Sequence, residues 1–180
     1  MIKTQKSEND EYKVLIVEDH PMFRDQLVQL IEREPGLSVC GTADCVNEAL
    51  ARVEETRPDI AIVDLSLRGS SGLEFIKDIK SRGINMKMLV LSMRDEDLYA
   101  ERVLRAGAQG YITKNEASTE VIKAICCVMN GEVYASAQLT ARLLGKMSGK
   151  GVSPDLERWE KLSDRELEVF QMLGRGKDSR

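Results

Sequence analysis

The sequence predicts an α/β fold, a doubly wound five-stranded parallel sheet with helices on both faces. Three observations predict it. Short apolar runs alternate with helical stripes from Tyr12 to Met129, the rhythm of a βα repeat with right-handed crossovers. The run Ile60-Ala61-Ile62-Val63 is apolar throughout, as a strand covered on both faces should be. Four of the runs end in polar groups: Glu18-Asp19, Asp64, Ser92 and Lys114. In an open parallel sheet the C-terminal edge carries the chemistry. Three acids, a hydroxyl and an ammonium are therefore expected at one site.

Taken in order, Tyr12 to Val17 reads as the first strand. Phe23, Leu27, Leu30 and Ile31 then recur at helical spacing until Pro35-Gly36 stops them. Glu18-Asp19 also suits capping of the helix that opens at Pro21, and His20 reads as a loop residue fixing that turn rather than as a ligand. Leu37 to Gly41 alternates like a strand, and Val46, Ala49, Leu50 and Val53 form a helical stripe closed by Arg57-Pro58. After the third strand comes a glycine-bearing loop, Arg68 to Gly72, and then a helix carrying Leu73, Ile76 and Ile79. Met88 to Leu91 and Gly110 to Thr113 are the last two strands. The helix between them runs from Leu98 to Ala106, and the one after them carries Val121, Ile122, Ile125, Val128 and Met129.

Past Gly131 the strand rhythm ends. Leu139, Leu143, Leu144 and Met147 suggest one more helix, and Ser148 to Pro154 reads as a flexible linker. Ser163-Asp164-Arg165-Glu166 is a capping box, flanked by Leu162 and Leu167 in hydrophobic-staple positions, with Phe170 and Leu173 continuing the apolar face. The expected organisation is a disordered tail over 1–11, the α/β domain over 12–131, a linker with one helix over 132–160, and a further helical start over 161–180.

The bulk numbers exclude several classes. With 180 residues, 42% hydrophobic and 31% charged, the chain reads as a soluble globular domain with a smaller appendage. Its longest apolar run is Ala124 to Met129, too short to span a bilayer. No secretory signal precedes Tyr12, so the cytoplasm is expected. A net charge of −4 does not favour a nucleic-acid surface on this stretch. Four cysteines, one histidine and no Cys-x-x-Cys pair argue against a zinc site and for core thiols.

Three carboxylates held together repel one another, each pair by roughly 4 kcal/mol at 4 Å and an effective dielectric near 20. A hard divalent cation relieves this, and oxygen ligands with room for waters and a phosphate suit Mg²⁺. Asp64 then becomes a nucleophile towards a phosphoryl group. Lys114 would balance charge on the opposite side, and Ser92 would donate a hydrogen bond to a phosphoryl oxygen. A strand-end aspartate by itself is more often a helix cap; the other strand-end groups raise Asp64 above that.

From Lys13 to about Gly131, Glu18-Asp19, Asp64, Ser92, Tyr111 and Lys114 occur in the order and at the spacings of the receiver domain of two-component response regulators. The chain resembles that family, and the resemblance implies a flavodoxin-like (βα)5 receiver. It implies Asp64 as phosphoacceptor and Asp19 as a direct Mg²⁺ ligand. Glu18 would act through metal-bound water, and the backbone carbonyl of Ser66 would supply a further ligand. Ser92 would be the hydroxyl switch residue and Tyr111 the aromatic that turns inward when Ser92 moves. Two positions depart from the common pattern: Arg68 stands where many receivers have proline, and Lys114-Asn115 replaces a Lys-Pro step. Ser66 and Arg94, the variable positions beside the site, would tune the phosphoryl lifetime.

The tail from Leu162 to Phe170, with Gly174-Arg175-Gly176, resembles the opening helix of a LuxR-type helix-turn-helix domain. Together with Gly131-Glu132-Val133-Tyr134 it implies the NarL/FixJ subfamily. The recognition helix would lie beyond Arg180, so DNA binding belongs to the complete C-terminal domain and not to this stretch. The partners implied are a sensor histidine kinase, a second copy in a homodimer, and DNA; no membrane is expected. The expected function is a phospho-switched transcription regulator, not an enzyme. The alternatives are an interaction-only receiver acting as a phosphate sink and an Asp-nucleophile phosphatase. The latter is disfavoured because Asp64-Leu65-Ser66 lacks a second acid.

Overall fold

The computed structural model describes residues 11–94, 96–147, 162–163, 166–167 and 169–170. In chain order the elements are β1 (Tyr12–Val17), α1 (Pro21–Ile31), β2 (Leu37–Ala43), α2 (Val46–Thr56) and β3 (Ile60–Val63). A two-residue hairpin follows, β4 (Ser66–Leu67) with β5 (Ser70–Ser71), then α3 (Gly72–Ser81) and β6 (Lys87–Ser92). The remainder is α4 (Glu96–Ala106), β7 (Gly110–Thr113), α5 (Ala117–Met129) and α6 (Ala137–Met147). Contacts divide the chain into one unit ending at Ser136 and a second opening at Ala137.

The main sheet is parallel throughout, in the order β2-β1-β3-β6-β7. The order reverses direction between β1 and β3, and ligands bind in the crevice at such a switch point. Side chains alternate between the two faces of a strand. Val14, Ile16, Ile60, Ile62, Leu89 and Leu91 share one core with Leu27 and Ile31 of α1 and Val121, Ala124, Ile125 and Val128 of α5. The intervening residues Leu15, Ala61, Val63 and Val90 are equally buried, which requires the second helical layer. All four residues of β3 are buried, so the apolar run had to be a central strand.

Local chemistry sets the element ends. Pro21 opens α1, with His20 at the N-cap in an extended conformation, the backbone region imposed on a residue before proline. The His20 side chain makes no cap bond. Of the Glu18-Asp19 pair expected to cap the helix, Glu18 accepts the His20 N–H at 3.1 Å, and both carboxylates also line the site described below. α2 ends at Thr56 with Arg57 as its C-cap, held at φ 49°, because Pro58 cannot continue a helix. α3 opens on a capping box between Ser71 and Glu74.

After α5 the chain returns to the sheet. Tyr134 forms a parallel bridge with Gly110, and its side chain donates to Glu120 on α5 at 2.5 Å. All four cysteines are unpaired and half-buried; burial pushes the thiols of Cys126 and Cys127 up, as fits structural rather than reactive groups.

In the second unit, α6 follows the helical stripe read from Leu139 onward, with Leu139 buried and Leu144 exposed. Ser163 and Glu166 form the expected capping box. The Ser163 N–H donates to Glu166 Oε2 at 2.7 Å, and the Glu166 N–H donates to Ser163 Oγ at 3.3 Å. The expectations for 1–10, the Ser148–Pro154 linker, Asp164-Arg165 and the stretch from 171 to Arg180 lie outside the described residues. Among the described residues no helix is long and apolar enough to cross a membrane.

Candidate functional site

The strand ladder continues for one step past the strands and thereby fixes the reacting groups. The Glu18 N–H donates to the Ala43 carbonyl, the Asp64 N–H to Val17 and the Lys114 N–H to Ser92, each at 2.9 Å. Each side chain thus leaves a backbone still held by the sheet. Lys114 Nζ bridges two acids, 2.6 Å from Glu18 Oε2 and 2.8 Å from Asp64 Oδ2. All three side chains are nearly excluded from solvent, at 7%, 2% and 2% exposed. Phe23 of α1 presents its ring 4.7 Å from the same Nζ, a cation–π contact that further orients the ammonium.

Glu18, Asp19, His20 and Asp64 each place one ligand atom within 4.8 Å of the others. Glu18 Oε1 accepts the His20 N–H at 3.1 Å. Asp19 Oδ1 is buried with no hydrogen-bond donor in good geometry, although His20 Nδ1 lies 2.8 Å away. Its other oxygen is 3.9 Å from Arg68 Nε, a contact too long and exposed to offset much charge. Three carboxylates thus face one buried ammonium, with one carboxylate oxygen left without a proton donor. The three carboxylates, oxygen donors short of positive charge, fit a hard divalent cation.

Across the pocket, Ser92 is fully buried. Its Oγ accepts the Arg94 N–H at 3.1 Å, which leaves its own proton to donate. Tyr111 is already turned in, 1% exposed, with its hydroxyl donating to the Arg94 carbonyl at 2.8 Å. The Arg94 side chain crosses the pocket mouth: Nε donates to Ser66 Oγ at 3.0 Å, and the guanidinium lies 4.8 Å from the Tyr99 ring centre. Ser66 in turn gives its N–H to Asp64 Oδ1 at 3.2 Å.

Every residue singled out from the sequence is therefore at this one edge: Glu18, Asp19, Asp64, Ser66, Ser92, Tyr111 and Lys114. Three contributors were not singled out. The sequence places Phe23 only in an apolar stripe and His20 only in the turn. Gly72 passed as one glycine in a loop, yet a Cβ there would sit 2.0 Å from the Asp64 carbonyl oxygen. No spacing rule in the sequence separates Gly72 from Gly69.

Comparison with known proteins gives the family. Residues 14–126 match the response regulator receiver domain. This chain belongs to the response regulator receiver family. Similarity to individual proteins extends beyond the receiver match, over about nine-tenths of this chain. The chain is 34% identical over 169 residues to the oxygen regulatory protein NreC of Staphylococcus epidermidis, covering 91% of this chain and 78% of that protein. It is 32% identical over 163 residues to the response regulator GacA of Pseudomonas aeruginosa, covering 89% and 74%. Among solved structures, a LuxR-family two-component response regulator from Aurantimonas superposes with a TM-score of 0.70 at 30% identity, over 77% of this chain and 99% of that one. The receiver domain of a NarL response regulator from Mycobacterium tuberculosis gives 0.65 at 28% identity, over 68% and 99%.

Proposed function

We propose that Asp64 accepts a phosphoryl group from a sensor histidine kinase and that this receiver uses the added charge to control transcription. The observation that carries the reading is the Lys114 ammonium shared between Glu18 and Asp64 beside the undonated oxygen of Asp19. An Asp64 oxygen attacks phosphorus, the bond from phosphorus to the kinase histidine breaks, and an acyl phosphate forms with the histidine ring leaving. Asp19, Asp64 and the Ser66 carbonyl would hold Mg²⁺ directly and Glu18 through water. The ion would neutralise charge on the equatorial phosphoryl oxygens.

Lys114 transfers its hydrogen bond from Asp64 to a phosphoryl oxygen. The phosphoryl group adds about −1.5 to −2 charges, and Ser92 turns its proton towards it. Because Ser92 Oγ holds the Arg94 N–H, and the Arg94 carbonyl holds the Tyr111 hydroxyl, movement of Ser92 is transmitted along that loop. The receiver thereby biases a pre-existing equilibrium, with altered dimerisation or release of a C-terminal DNA-binding domain as output. The protein acts in the cytoplasm and is not a turnover enzyme, since the only group it processes is its own aspartyl phosphate.

Incubation with Mg²⁺ and acetyl phosphate is expected to give a single phosphate adduct, absent from Asp64→Asn and without EDTA-resistant formation. An adduct that persists in Asp64→Asn, at another residue, would overturn the assignment. Steady multiple turnover of a phosphomonoester would instead favour the phosphatase alternative.

A further inference from the structure

His20 is the only histidine in the chain, and its ring is not used where its position would suggest. It stands at the N-cap of α1 but makes no side-chain cap bond. Pro21 holds its backbone extended, and the His20 N–H is tied to Glu18 Oε1. Both constraints direct the ring back over the acids. Nδ1 lies 2.8 Å from Asp19 Oδ1 and 3.0 Å from Glu18 Oε1, while the side chain remains 67% exposed.

The 2.8 Å spacing between Nδ1 and Asp19 Oδ1 suits two neighbouring ligands of one ion. With bonds of roughly 2.1 Å, two ligand atoms at a right angle stand about 3 Å apart. Without an ion Nδ1 is placed to donate to Glu18 Oε1 at 3.0 Å; with an ion bound, the proton would sit on the outer nitrogen, facing solvent, and the Nδ1 lone pair would face the metal. Carboxylates suit Mg²⁺ and Mn²⁺, whereas an imidazole nitrogen raises affinity along the first-row series towards cobalt, nickel and zinc.

We propose that His20 is a direct nitrogen ligand of the acid pocket for first-row transition-metal divalent cations, so that the pocket discriminates these ions from Mg²⁺. The inference rests on the reading of Glu18, Asp19 and Asp64 as a cation site. The nitrogen adds little for Mg²⁺, which prefers oxygen donors and keeps its waters. It adds more for the later ions; since losing even a hydrogen-bond partner of a ligand costs about 10–100-fold, losing the ligand itself should cost at least about tenfold.

The test uses the full chain loaded with Mn²⁺ and read by electron spin echo envelope modulation. Nitrogen modulation is expected, changing to the nitrogen-15 pattern when histidine alone is labelled; with a single histidine, the label needs no variant to assign it. In His20→Ala the modulation should vanish. Co²⁺ affinity, read by visible absorption, should fall at least tenfold, while Mg²⁺ affinity by competition stays within about twofold. Mn²⁺ bound with no histidine modulation, or equal weakening of Co²⁺ and Mg²⁺ in His20→Ala, overturns the role of His20 and leaves the acid pocket standing. Mn²⁺ binding that Asp19→Asn does not weaken overturns the pocket reading itself, and the inference with it.

Discussion

The backbone N–H of Tyr111 donates to the carbonyl of Tyr134 at 3.0 Å. The buried aromatic of the last strand is thus bonded directly to the segment that leaves α5. The Tyr134 N–H returns to the Gln109 carbonyl at 2.9 Å, so the two residues flanking Gly110 are clasped from one side. Glycine is required between them: a Cβ at 110 would lie 2.8 Å from Leu89 Cδ1 and 3.1 Å from both the Cβ and the carbonyl oxygen of Tyr134. Gly110→Ala is expected to spring the clasp without touching the acid site. Amide exchange at Tyr111 should accelerate at least about tenfold, equivalent to a local loss of about 1.4 kcal/mol. Unchanged protection at Tyr111 would contradict the clasp.

The clasp also has a pH signature. Burial, and then the hydrogen bond to Glu120, push the Tyr134 hydroxyl above its ordinary value of 10.0. The bonds from Tyr134 and then Lys123 hold Glu120 below its ordinary 4.5. A depressed carboxylate stabilises the fold above its unfolded value and loses that contribution as pH falls through the folded value. A raised tyrosine keeps its contribution below its unfolded value and loses it as pH rises towards the folded one. The difference in melting temperature between wild type and Tyr134→Phe should therefore be widest between about pH 5 and 9. It should narrow below 4.5 and above 10; a pH-independent difference would argue against the bond.

Lys114→Ala removes the ammonium that Glu18 and Asp64 share. Breaking a buried pair by deleting one partner costs about 3–5 kcal/mol. Urea unfolding in EDTA should show a loss of that order, and added Mg²⁺ should restore a measurable part of it. Stability equal to wild type in EDTA would mean that the acids are not held by Lys114.

Gly72→Ala is expected to act on the phosphoacceptor through its backbone. The new methyl would meet the Asp64 carbonyl, which must shift, and overpacking of this kind costs about 1–3 kcal/mol. The phosphorylation rate with acetyl phosphate should fall more than stability alone explains. A variant as stable and as reactive as wild type would show the contact to be relaxed at no cost.

Tyr111→Phe leaves the ring and removes the hydroxyl that donates to the Arg94 carbonyl. One buried hydrogen bond is worth about 1 kcal/mol, and the denaturant midpoint should fall accordingly. If Ser92 acts through this loop, the variant should also show a weaker change in oligomeric state between free and beryllofluoride-treated protein by size-exclusion chromatography.

The sequence by itself determined the fold class and most of the site. Parallel strands buried on both faces must be continuous apolar runs, as in Ile60–Val63, and helices between them must carry a stripe, as in Phe23 to Ile31. Because β-strand ends of a parallel sheet share one edge, Glu18, Asp19, Asp64, Ser92 and Lys114 could be brought together from linear order alone. Tertiary structure decided what linear order does not encode. Phe23 contacts Lys114 through space, not through spacing; Arg94 reaches Ser66 across two loops; Gly72 is required by a backbone it meets only after folding. The direction of the His20 ring depends on the turn at Pro21 and on the Glu18 carboxylate together. Period and position in the chain report on backbone conformation and burial, whereas such contacts arise between segments distant in sequence, where packing alone sets the partner.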